Sequence, residues 1–334
     1  PEIHPGALER CNRIDDDCDE ILDEPTESFV LNESTTEGTL FSYSGVWTGN
    51  RYALLFSSRG ESPRDLRFAA FDGNGALLVE PRVVGTYDTE SGLVSPRSIW
   101  TGEEVIAAFI LVGDDSTSSD VVVVRFDEEG EMLSESHPFG SDDVELISAA
   151  PGWDADRGRL GIAYRVGNFG SGYSNLEFRA LDFDGDGFEA NPARAITDSA
   201  IQAYSPHILW IDGGYSVAFF TDHRREFEVV HQRLSPEGEL LGGPLSLDRP
   251  FGFPYSLTIQ STGSQIVVAW SELILASTGD MSFARIEPDG SATTPASPLT
   301  ANHANSTRPS LAWAEDHFGV AWTNYPGGTV SGSQ

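Results

Sequence analysis

A repeat of about 53 residues runs through most of the chain and limits what the chain can fold into. Each copy has two apolar runs around a turn, and Ser205–Phe220, SPHILWIDGGYSVAFF, is the clearest copy. The first run ends at Trp47, Trp100, Trp153, Trp210, Gln260 and Trp313, with gaps of 53, 53, 57, 50 and 53 residues. An aromatic residue follows 9 to 11 residues later each time, at Phe56, Phe109, Tyr164, Phe219, Trp270 and Trp322. Two apolar runs around a Gly-rich turn indicate a β-hairpin.

A second hairpin recurs in phase with the first. Its polar turn ends in glycine at Asp72–Gly75, Asp127–Gly130, Asp184–Gly187, Ser235–Gly238 and Glu287–Gly290. Four strands per unit at this period predict a β-propeller, and six unit starts predict six blades. We therefore expect an all-β, six-bladed propeller of four-stranded antiparallel blades over residues 26–334. The strict phase of the tryptophans favours core packing over sugar stacking.

The two ends of the repeat array are expected to meet. Ser28–Leu31 reads as a strand, and the segment near residues 28–34 is predicted to be the outer strand of the last blade. Blade six begins at Arg308, and the sequence stops at Gln334, so one strand is unaccounted for. Either the natural protein continues or another segment fills the gap. An open strand edge is a place where a partner can donate a strand.

Charge excludes several classes of function. The net charge is −32, and all 20 basic residues are arginine. This balance argues against nucleic acid as a partner, because phosphate binding needs a basic surface. The absence of lysine excludes a Schiff-base lysine and a P-loop lysine. No apolar run reaches the ~18 residues that a membrane span needs, and no signal peptide is present, which indicates a processed chain.

Residues 1–25, PEIHPGALERCNRIDDDCDEILDEP, form a short acidic segment before the repeats. They contain the only two cysteines, Cys11 and Cys18. A disulfide between them would close a tight loop and would fit an oxidising compartment. A zinc site is less favoured, because two thiolates without nearby histidine pairs make a poor tetrahedral set.

Carboxylates alternate inside and after this loop. Asp15, Asp17, Asp19 and Asp23 stand at positions one, three, five and nine, which is how a calcium loop gathers oxygen ligands. Asn12 and Glu24 are supplementary candidate ligands. Glu20 stands where an EF-hand has glycine, and Thr26 stands where it has glutamate, so the EF-hand pattern is incomplete. The alternative is a solvated acidic leader.

The pattern P-x-x-x-P-G-A-x-E-x-C-N-x-x-D-D-D-C-D-x-x-x-D-E over Pro1–Glu24 resembles the metal-binding repeat of the MopE type. That repeat occurs in secreted and surface proteins of bacteria, notably myxobacteria. The resemblance implies a disulfide and divalent-cation binding by the carboxylates, and a secreted or surface location. Arg13 and Glu20 replace two glycines of the family, which alters the loop if those positions need positive φ.

A second candidate calcium loop lies in the third repeat. Asp182, Asp184 and Asp186, with Gly187 at the sixth position, match the first half of a calcium loop. Turns in the same slot of the other repeats also favour Asp and Gly, so an ordinary hairpin turn is the alternative.

Motifs of common catalytic sites are absent from the sequence, among them H-E-x-x-H, G-x-S-x-G and G-x-G-x-x-G. No organic cofactor is therefore expected. Carboxylate pairs for glycoside hydrolysis remain open, because they meet only in space. The repeat phase places the candidate ligand residues on one propeller face: Arg59, Arg97, Arg165, His207, Asp222, His223, Arg224, Glu272 and Asn324. A solvated rim with ordinary salt bridges is the alternative.

The sequence thus favours a secreted or surface-attached bacterial propeller with structural calcium and a non-catalytic role in binding or assembly. Protein or glycan is the expected partner. One alternative is an enzyme that acts on polysaccharide through the central face of the propeller. Two or three carboxylates that converge near the channel mouth would distinguish this enzyme from a binding module. The other alternative is a purely structural repeat domain of a larger surface protein.

Overall fold

The computed structural model describes residues 40–325, apart from residues 59–63, 74, 89–91, 114–117, 142–144, 168–173, 199–200, 224–225, 251, 276–277, 301–304 and 315–316. The expected outer strand near residues 28–34 lies outside the described residues. Every described element of secondary structure is a β-strand. The alternating apolar pattern of the repeats is therefore realised as strands.

The first two repeats form one four-stranded antiparallel sheet each. Blade 1 consists of β1 (Leu40–Trp47), β2 (Arg51–Ser58), β3 (Arg64–Asp72) and β4 (Leu77–Tyr87). Blade 2 consists of β5 (Gly92–Trp100), β6 (Val105–Val112), β7 (Ser119–Phe126) and β8 (Met132–Ser141). Each strand pairs with the next one along the chain. The predicted pairs of hairpins are confirmed.

The third and fourth repeats follow the same plan. Blade 3 consists of β9 (Glu145–Asp154), β10 (Arg159–Gly167), β11 (Ser174–Phe183) and a broken outer strand, β12 (Phe188–Ala190) and β13 (Arg194–Ala195). Both short pieces pair with β11. Blade 4 consists of β14 (Gln202–Ile211), β15 (Gly214–His223), β16 (Glu226–Leu234) and β17 (Leu240–Asp248).

The last sheet combines the fifth and sixth repeats. Blade 5 consists of β18 (Phe253–Ser261), β19 (Ile266–Leu275), β20 (Thr278–Ile286) and β21 (Ala292–Pro298). The hairpin β22 (Asn305–Ala314) and β23 (His317–Tyr325) joins this sheet through one parallel pairing, Gly279 with Asn305.

The propeller has five blades, and the prediction of six is wrong. The count of six was made on the pattern of the first hairpin of each repeat. This pattern does not show that the second hairpin of the blade is also present. In the part of the chain that the structure describes, the sixth repeat supplies only the hairpin β22–β23. Because that hairpin is hydrogen-bonded to β20, it extends the fifth sheet instead of forming a sheet of its own.

The first strands of successive repeats contact one another in the order β1, β5, β9, β14, β18, β22. They therefore surround the axis of the propeller. Apolar side chains fill the spaces between neighbouring blades. One cluster joins blades 1 and 2 through Leu55, Phe68, Phe109 and Phe126, and equivalent clusters join each later pair up to blade 5. Burying each such phenylalanine stabilises the fold by roughly 1.5–3 kcal/mol.

The repeated aromatic residues differ in burial. Those of the second run are fully buried in the complete blades, with Phe56 at 1%, Phe109 at 0% and Trp270 at 0% exposure. The tryptophans of the first run pack less completely, and Trp47 is 42% exposed. The predicted core role thus holds for the second-run aromatics of blades 1 to 5. The first-run tryptophans cover the ends of the blade interfaces.

Candidate functional site in the propeller channel

The first strands of blades 2 and 4 are interrupted at the same point. The sequence is Ser95-Pro96-Arg97 in β5 and Ser205-Pro206-His207 in β14, and the pairing register shifts there in both strands. Proline has no N–H for the sheet ladder, so it favours a bulge at this point. Ser205 has a φ of 53°, a conformation that costs a non-glycine residue roughly 1–3 kcal/mol. The local structure thus aims Arg97 and His207 out of the regular pleat.

Arg97 reaches across the axis of the propeller. Its Nη1 donates a hydrogen bond to the carbonyl oxygen of Pro206 at 3.0 Å. Blades 2 and 4 are not neighbours, because β9 of blade 3 contacts both β5 and β14. The bond must therefore cross the central channel. We use the word funnel for the part of the channel between this hydrogen bond and the loops that join strands two and three.

Arg97 and His207 carry different charges at neutral pH. Burial lowers the pKa of Arg97 to about 10, so its guanidinium stays protonated. Burial and the nearby charge of Arg97 hold the pKa of His207 well below its usual range. His207 is therefore a neutral imidazole at pH 7, and Arg97 supplies the positive charge of the channel.

Above this level, Arg165, Tyr204 and Asp222 lie near one another at the boundary between blades 3 and 4. Arg165 Nε donates to Ser174 Oγ at 2.8 Å, and Ser174 Oγ donates to the carbonyl of Ala203 at 3.0 Å. The Tyr204 hydroxyl is buried and has no hydrogen-bond partner among the described atoms. Burial, and then the charge of Asp222, raise the pKa of Tyr204, whereas Arg165 lowers it. The hydroxyl is therefore neutral, and its O–H group donates to no described acceptor.

Two stacked rings lie between blades 4 and 5. The ring centroids of Tyr204 and Phe253 are 6.2 Å apart, and the angle between the ring planes is 13°. Phe227 meets the Phe253 ring edge-on at 5.3 Å. Phe253 is 51% exposed, although most phenylalanines of the blades are buried. The pair therefore presents an apolar surface to solvent at the mouth of the funnel.

Carboxylates flank this aromatic pair. Asp222 lies near the end of β15, opposite Gln202 of β14. Glu272 lies on β19, opposite Pro254 of β18, and accepts a hydrogen bond from the Gly252 N–H at 3.1 Å. Asp280 of β20 is the pairing partner of Glu272. Asp222 and Glu272 thus lie near the ends of β15 and β19, and Asp280 lies near the start of β20. Because the strands are antiparallel, all three carboxylates are at the same end of their blades.

Among the predicted ligand residues, Arg97 lies in β5, Arg165 in β10, His207 in β14, Asp222 in β15 and Glu272 in β19. Their role in binding a ligand stays a prediction. His223 is exposed at the end of β15. Asn324 belongs to β23, and its side chain is not described. Arg59 and Arg224 lie outside the described residues.

Sequence reasoning missed Tyr204, Phe253 and Asp280. A signal for Tyr204 was available in the recurring Ser-Pro dipeptide of the first strands, because Tyr204 directly precedes it. Phe253 opens β18 in the same part of its repeat. Asp280 carries no such signal, since its proximity to Glu272 follows from the register of β19 with β20.

The acidic turn of blade 3 already engages two of its three carboxylates. Asp182 Oδ1 accepts from Arg159 Nε at 2.6 Å, and Asp182 Oδ2 accepts from Asn191 Nδ2 at 2.8 Å. Asp184 Oδ1 accepts from the N–H groups of Asp186 and Gly187 at 3.0 and 2.9 Å. This is the arrangement of a hairpin turn closed by its own aspartate. The described residues contain no group of three or more His, Cys, Asp or Glu side chains placed to hold a metal ion.

A cavity of about 690 Å³ lies away from the funnel, between blade 5 and the hairpin β22–β23. Its wall includes Val267, Phe283, Arg285, Trp313 and Phe318. The predicted strand donation at the incomplete repeat stays a prediction. No helix in the described part of the chain is long and apolar enough to cross a membrane.

A family model described as "Putative metal-binding motif" (Cu-binding MopE) matches residues 1–24. The match supports metal binding in this segment and leaves the metal open. All of the predicted ligands there, Asn12, Asp15, Asp17, Asp19, Asp23 and Glu24, and both cysteines lie outside the described residues. The disulfide and the myxobacterial type stay predictions. No curated protein matches the chain.

Solved structures resemble the propeller. An α-L-arabinanase of Penicillium chrysogenum complexed with arabinobiose is 11% identical with a TM-score of 0.55, over 78% of this chain and 81% of that chain. An N-acetylgalactosamine deacetylase of F. plautii, in complex with blood group B trisaccharide, is 11% identical with a TM-score of 0.52, over 89% and 93%. A GH43 endo-arabinanase of Bacillus licheniformis is 13% identical with a TM-score of 0.47, over 75% and 96%. Such distant likenesses show the fold alone.

This comparison corrects the functional expectation. The sequence favoured a non-catalytic binding or assembly protein, and that preference is wrong. Two of the similar structures with a TM-score above 0.5 are an arabinanase and a deacetylase, which agrees with the enzyme alternative. The recurring core residues could not reveal this, because they report on packing and not on the mouth of the funnel.

Proposed function

We propose that the protein is a polysaccharide-acting enzyme of the glycoside hydrolase kind that uses the central face of the propeller. One observation carries the proposal. The rings of Tyr204 and Phe253 stack across the first strands of blades 4 and 5, and Asp222 and Glu272 lie near the ends of the second strands of the same two blades. An aromatic platform beside two carboxylates suits a sugar, which has an apolar C–H face and a rim of hydroxyl groups.

The two carboxyl groups would divide the work of hydrolysis. One protonates the glycosidic oxygen as the bond from the anomeric carbon to that oxygen breaks. The other either takes a proton from the attacking water or bonds to the anomeric carbon and is later displaced by water. Both routes end with a new C–OH at the anomeric carbon and one hydrolysed bond. Asp222 and Glu272 are the proposed pair, and Asp280 is the carboxylate next to Glu272.

The remaining groups of the mouth would hold the substrate. Phe253 offers its exposed face to the sugar ring. Arg165 supplies the N–H groups of its guanidinium as directional donors for sugar oxygens. Two of the similar structures contain a saccharide, arabinobiose in one and a blood group B trisaccharide in the other. These structures support glycan as the class of ligand, and at 11% identity they do not choose the sugar.

The test is hydrolysis by the purified chain and two variants. Release of reducing ends is measured on a panel of plant and bacterial polysaccharides that includes arabinan. Asp222→Asn and Glu272→Gln should each lower the rate by roughly 10²–10⁴-fold, the usual contribution of a positioned acid or base. Glu103→Gln is the matched control, because Glu103 is exposed in the β5–β6 turn at the opposite end of the strands. Full activity of both variants, with melting temperatures unchanged, would refute the assignment.

For the acidic leader we propose calcium as the metal, and a secreted or surface location on a bacterium. The alternating carboxylates of Asp15–Asp23 supply hard oxygen ligands, which suit Ca²⁺ better than the softer sites of copper. Elemental analysis of the purified protein distinguishes them. Copper in place of calcium, or no metal after dialysis against either, would contradict the assignment.

A further inference from the structure

We infer that the funnel floor, which is the part of the channel around Arg97 and His207, binds the carboxylate of an acidic sugar. Arg97 is the cation that recognises this carboxylate. The inference rests on the proposed function and names a substrate class for the same site: a neutral glycan that carries an isolated uronic-acid unit. It depends on how Arg97 is partnered, on what surrounds it, and on the charge of the rest of the chain.

Arg97 has donors to spare. A guanidinium has five N–H groups in a planar fork that matches a carboxylate. One described hydrogen bond, to the Pro206 carbonyl at 3.0 Å, uses a single N–H. In the described part of the chain, no hydrogen bond from Nε or Nη2 of Arg97 accompanies the one from Nη1. The free part of the fork therefore points to a ligand in the funnel.

Three arginines on the outside of the blades form ion pairs with glutamates, whereas no such pair is described for Arg97. Arg82 pairs with Glu131 at 2.6 Å, Arg125 with Glu104 at 2.7 Å and Arg249 with Glu228 at 2.7 Å. The only described partner of Arg97 is a backbone carbonyl. Removing a charge from bulk water without a counter-charge is costly. A carboxylate ligand would supply a counter-charge that no described residue provides.

The groups around Arg97 favour an acid over a neutral oxygen. No carboxylate contributes to the low pKa values of Arg97 and His207, which arise from burial and from the charge of Arg97. His207 is neutral and can accept or donate one hydrogen bond. Ser44 and Ser98 bridge blades 1 and 2 by a hydrogen bond of 2.8 Å and add further hydroxyls. The funnel floor is thus a positive spot with neutral polar neighbours.

The surrounding charge limits the ligand to a single acid. The chain has a net charge of −32. Exposed charges act over roughly 8 Å at physiological salt, so a polyuronate would be repelled where it passes the carboxylates Asp222, Glu272 and Asp280 at the mouth. An isolated uronic-acid unit meets Arg97 inside the funnel, where screening by salt is weaker. We expect weak binding of polygalacturonate at low salt for this reason.

The depth of the funnel separates recognition from cleavage. His207 pairs with Ala218, whereas Gln202 pairs with Asp222. The two levels are therefore four residue steps apart on β15, about 13 Å along the strand. The acid group and the bond that is cleaved belong to different sugar units. Arg97 is thus a specificity residue and not a catalytic one.

The test is direct binding, which does not depend on hydrolysis. Glucuronate, glucose and acetate are titrated against the whole chain by ligand-observed NMR. We expect glucuronate to bind at least ten times more tightly than glucose or acetate. Arg97→Gln should abolish this preference, and Arg97→Lys, which keeps the charge but loses the fork, should retain part of it. Arg82→Gln is the control, because Arg82 pairs with Glu131 on the rim.

Two results would overturn the inference: equal binding of glucuronate and glucose by the native chain, or unchanged glucuronate affinity in a folded Arg97→Gln variant. Acetate that competes as strongly as glucuronate would also overturn it, because the floor would then not recognise a sugar. Failure of the proposed function is a separate outcome. In that case no polysaccharide is cleaved, whether or not glucuronate binds. Glu272→Gln should keep the binding of glucuronate while it loses hydrolysis.

Discussion

The boundaries between blades differ from the outer side of blade 1. At three boundaries, the glycine in the turn between strands three and four rests on the preceding blade. A Cβ on Gly130 would lie 2.2 Å from Phe68, one on Gly238 would lie 2.3 Å from Phe178, and one on Gly290 would lie 3.0 Å from Arg233. The same glycine in blade 1, Gly75, would meet no described atom within 4 Å.

The difference shows that one turn serves two purposes. All four glycines have positive φ and donate the same backbone hydrogen bond, for example Gly75 N–H to Asp72 at 3.1 Å and Gly238 N–H to Ser235 at 2.9 Å. Turn geometry therefore requires glycine at this position in blades 1, 2, 4 and 5. At Gly130 and Gly238, the lack of a side chain also lets the neighbouring blade approach. A repeat position can thus keep its residue for unequal reasons.

The largest expected effect separates these two reasons. Gly238→Ala should lower the free energy of unfolding by about 3 kcal/mol or more, because it adds overpacking against Phe178 to the strain of positive φ. Gly75→Ala carries the strain alone and should cost about 1 kcal/mol. Denaturant unfolding of both variants gives the comparison. Equal losses would mean that close approach at the blade boundary contributes nothing.

A medium effect concerns the boundary between blades 4 and 5. His231 is buried beside the Gly290 turn, and its Nε2 is 3.1 Å from Ser216 Oγ. Burial, and then the charge of Arg233, lower the pKa of His231 to about 4. His231 therefore binds a proton near pH 6.5 in the unfolded chain, but only near pH 4 in the folded chain. The stability is complete above pH 6.5 and falls as the pH drops towards 4, by about 3 kcal/mol.

Replacement of this histidine tests the pH effect. His231→Gln cannot take up the proton, so the free energy of unfolding should depend less on pH between 6.5 and 4. Urea unfolding at pH 7.5, 6 and 4.5 provides the measurement. His207 acts in the same direction and leaves a residual slope in the variant. A slope identical to that of the native chain would show that His231 is not the titrating group.

The smallest effect is expected on the rim between blades 1 and 2. Arg82 Nη1 is 2.6 Å from Glu131 Oε1, and the two side chains are 38% and 66% exposed. Exposed ion pairs contribute less than about 1 kcal/mol. Arg82→Gln should therefore shift the melting temperature only slightly, and less so at high salt. A shift as large as that of Gly238→Ala would assign the boundary to ion pairs instead of close packing.

Local patterns in the sequence predicted the blades well. The spacing of apolar runs and Gly turns located every hairpin of blades 1 to 4. The number of blades was wrong, because the pairing of Gly279 with Asn305 joins strands of different repeats. Such a pairing leaves no periodic trace.

The site was only partly predictable for a related reason. Phase along the repeat predicted one shared face for Arg97, Arg165, His207, Asp222 and Glu272, because equivalent positions of a repeat lie at equivalent heights. Phase does not give distances between blades. The stacking of Tyr204 on Phe253 and the crossing of Arg97 to Pro206 depend on how blades are arranged around the axis.

The hydrogen bond between Arg97 and Pro206 also bears on how the propeller unfolds. In repeat proteins each unit usually contacts only its neighbours, so the energy of the array is a sum of nearest-neighbour contributions. This bond joins blade 2 directly to blade 4. Loss of either blade therefore removes a contact from the other, even while blade 3 stays folded. The molecule should open as one cooperative unit across these three blades, and hydrogen exchange in β5 and β14 should report the same opening event.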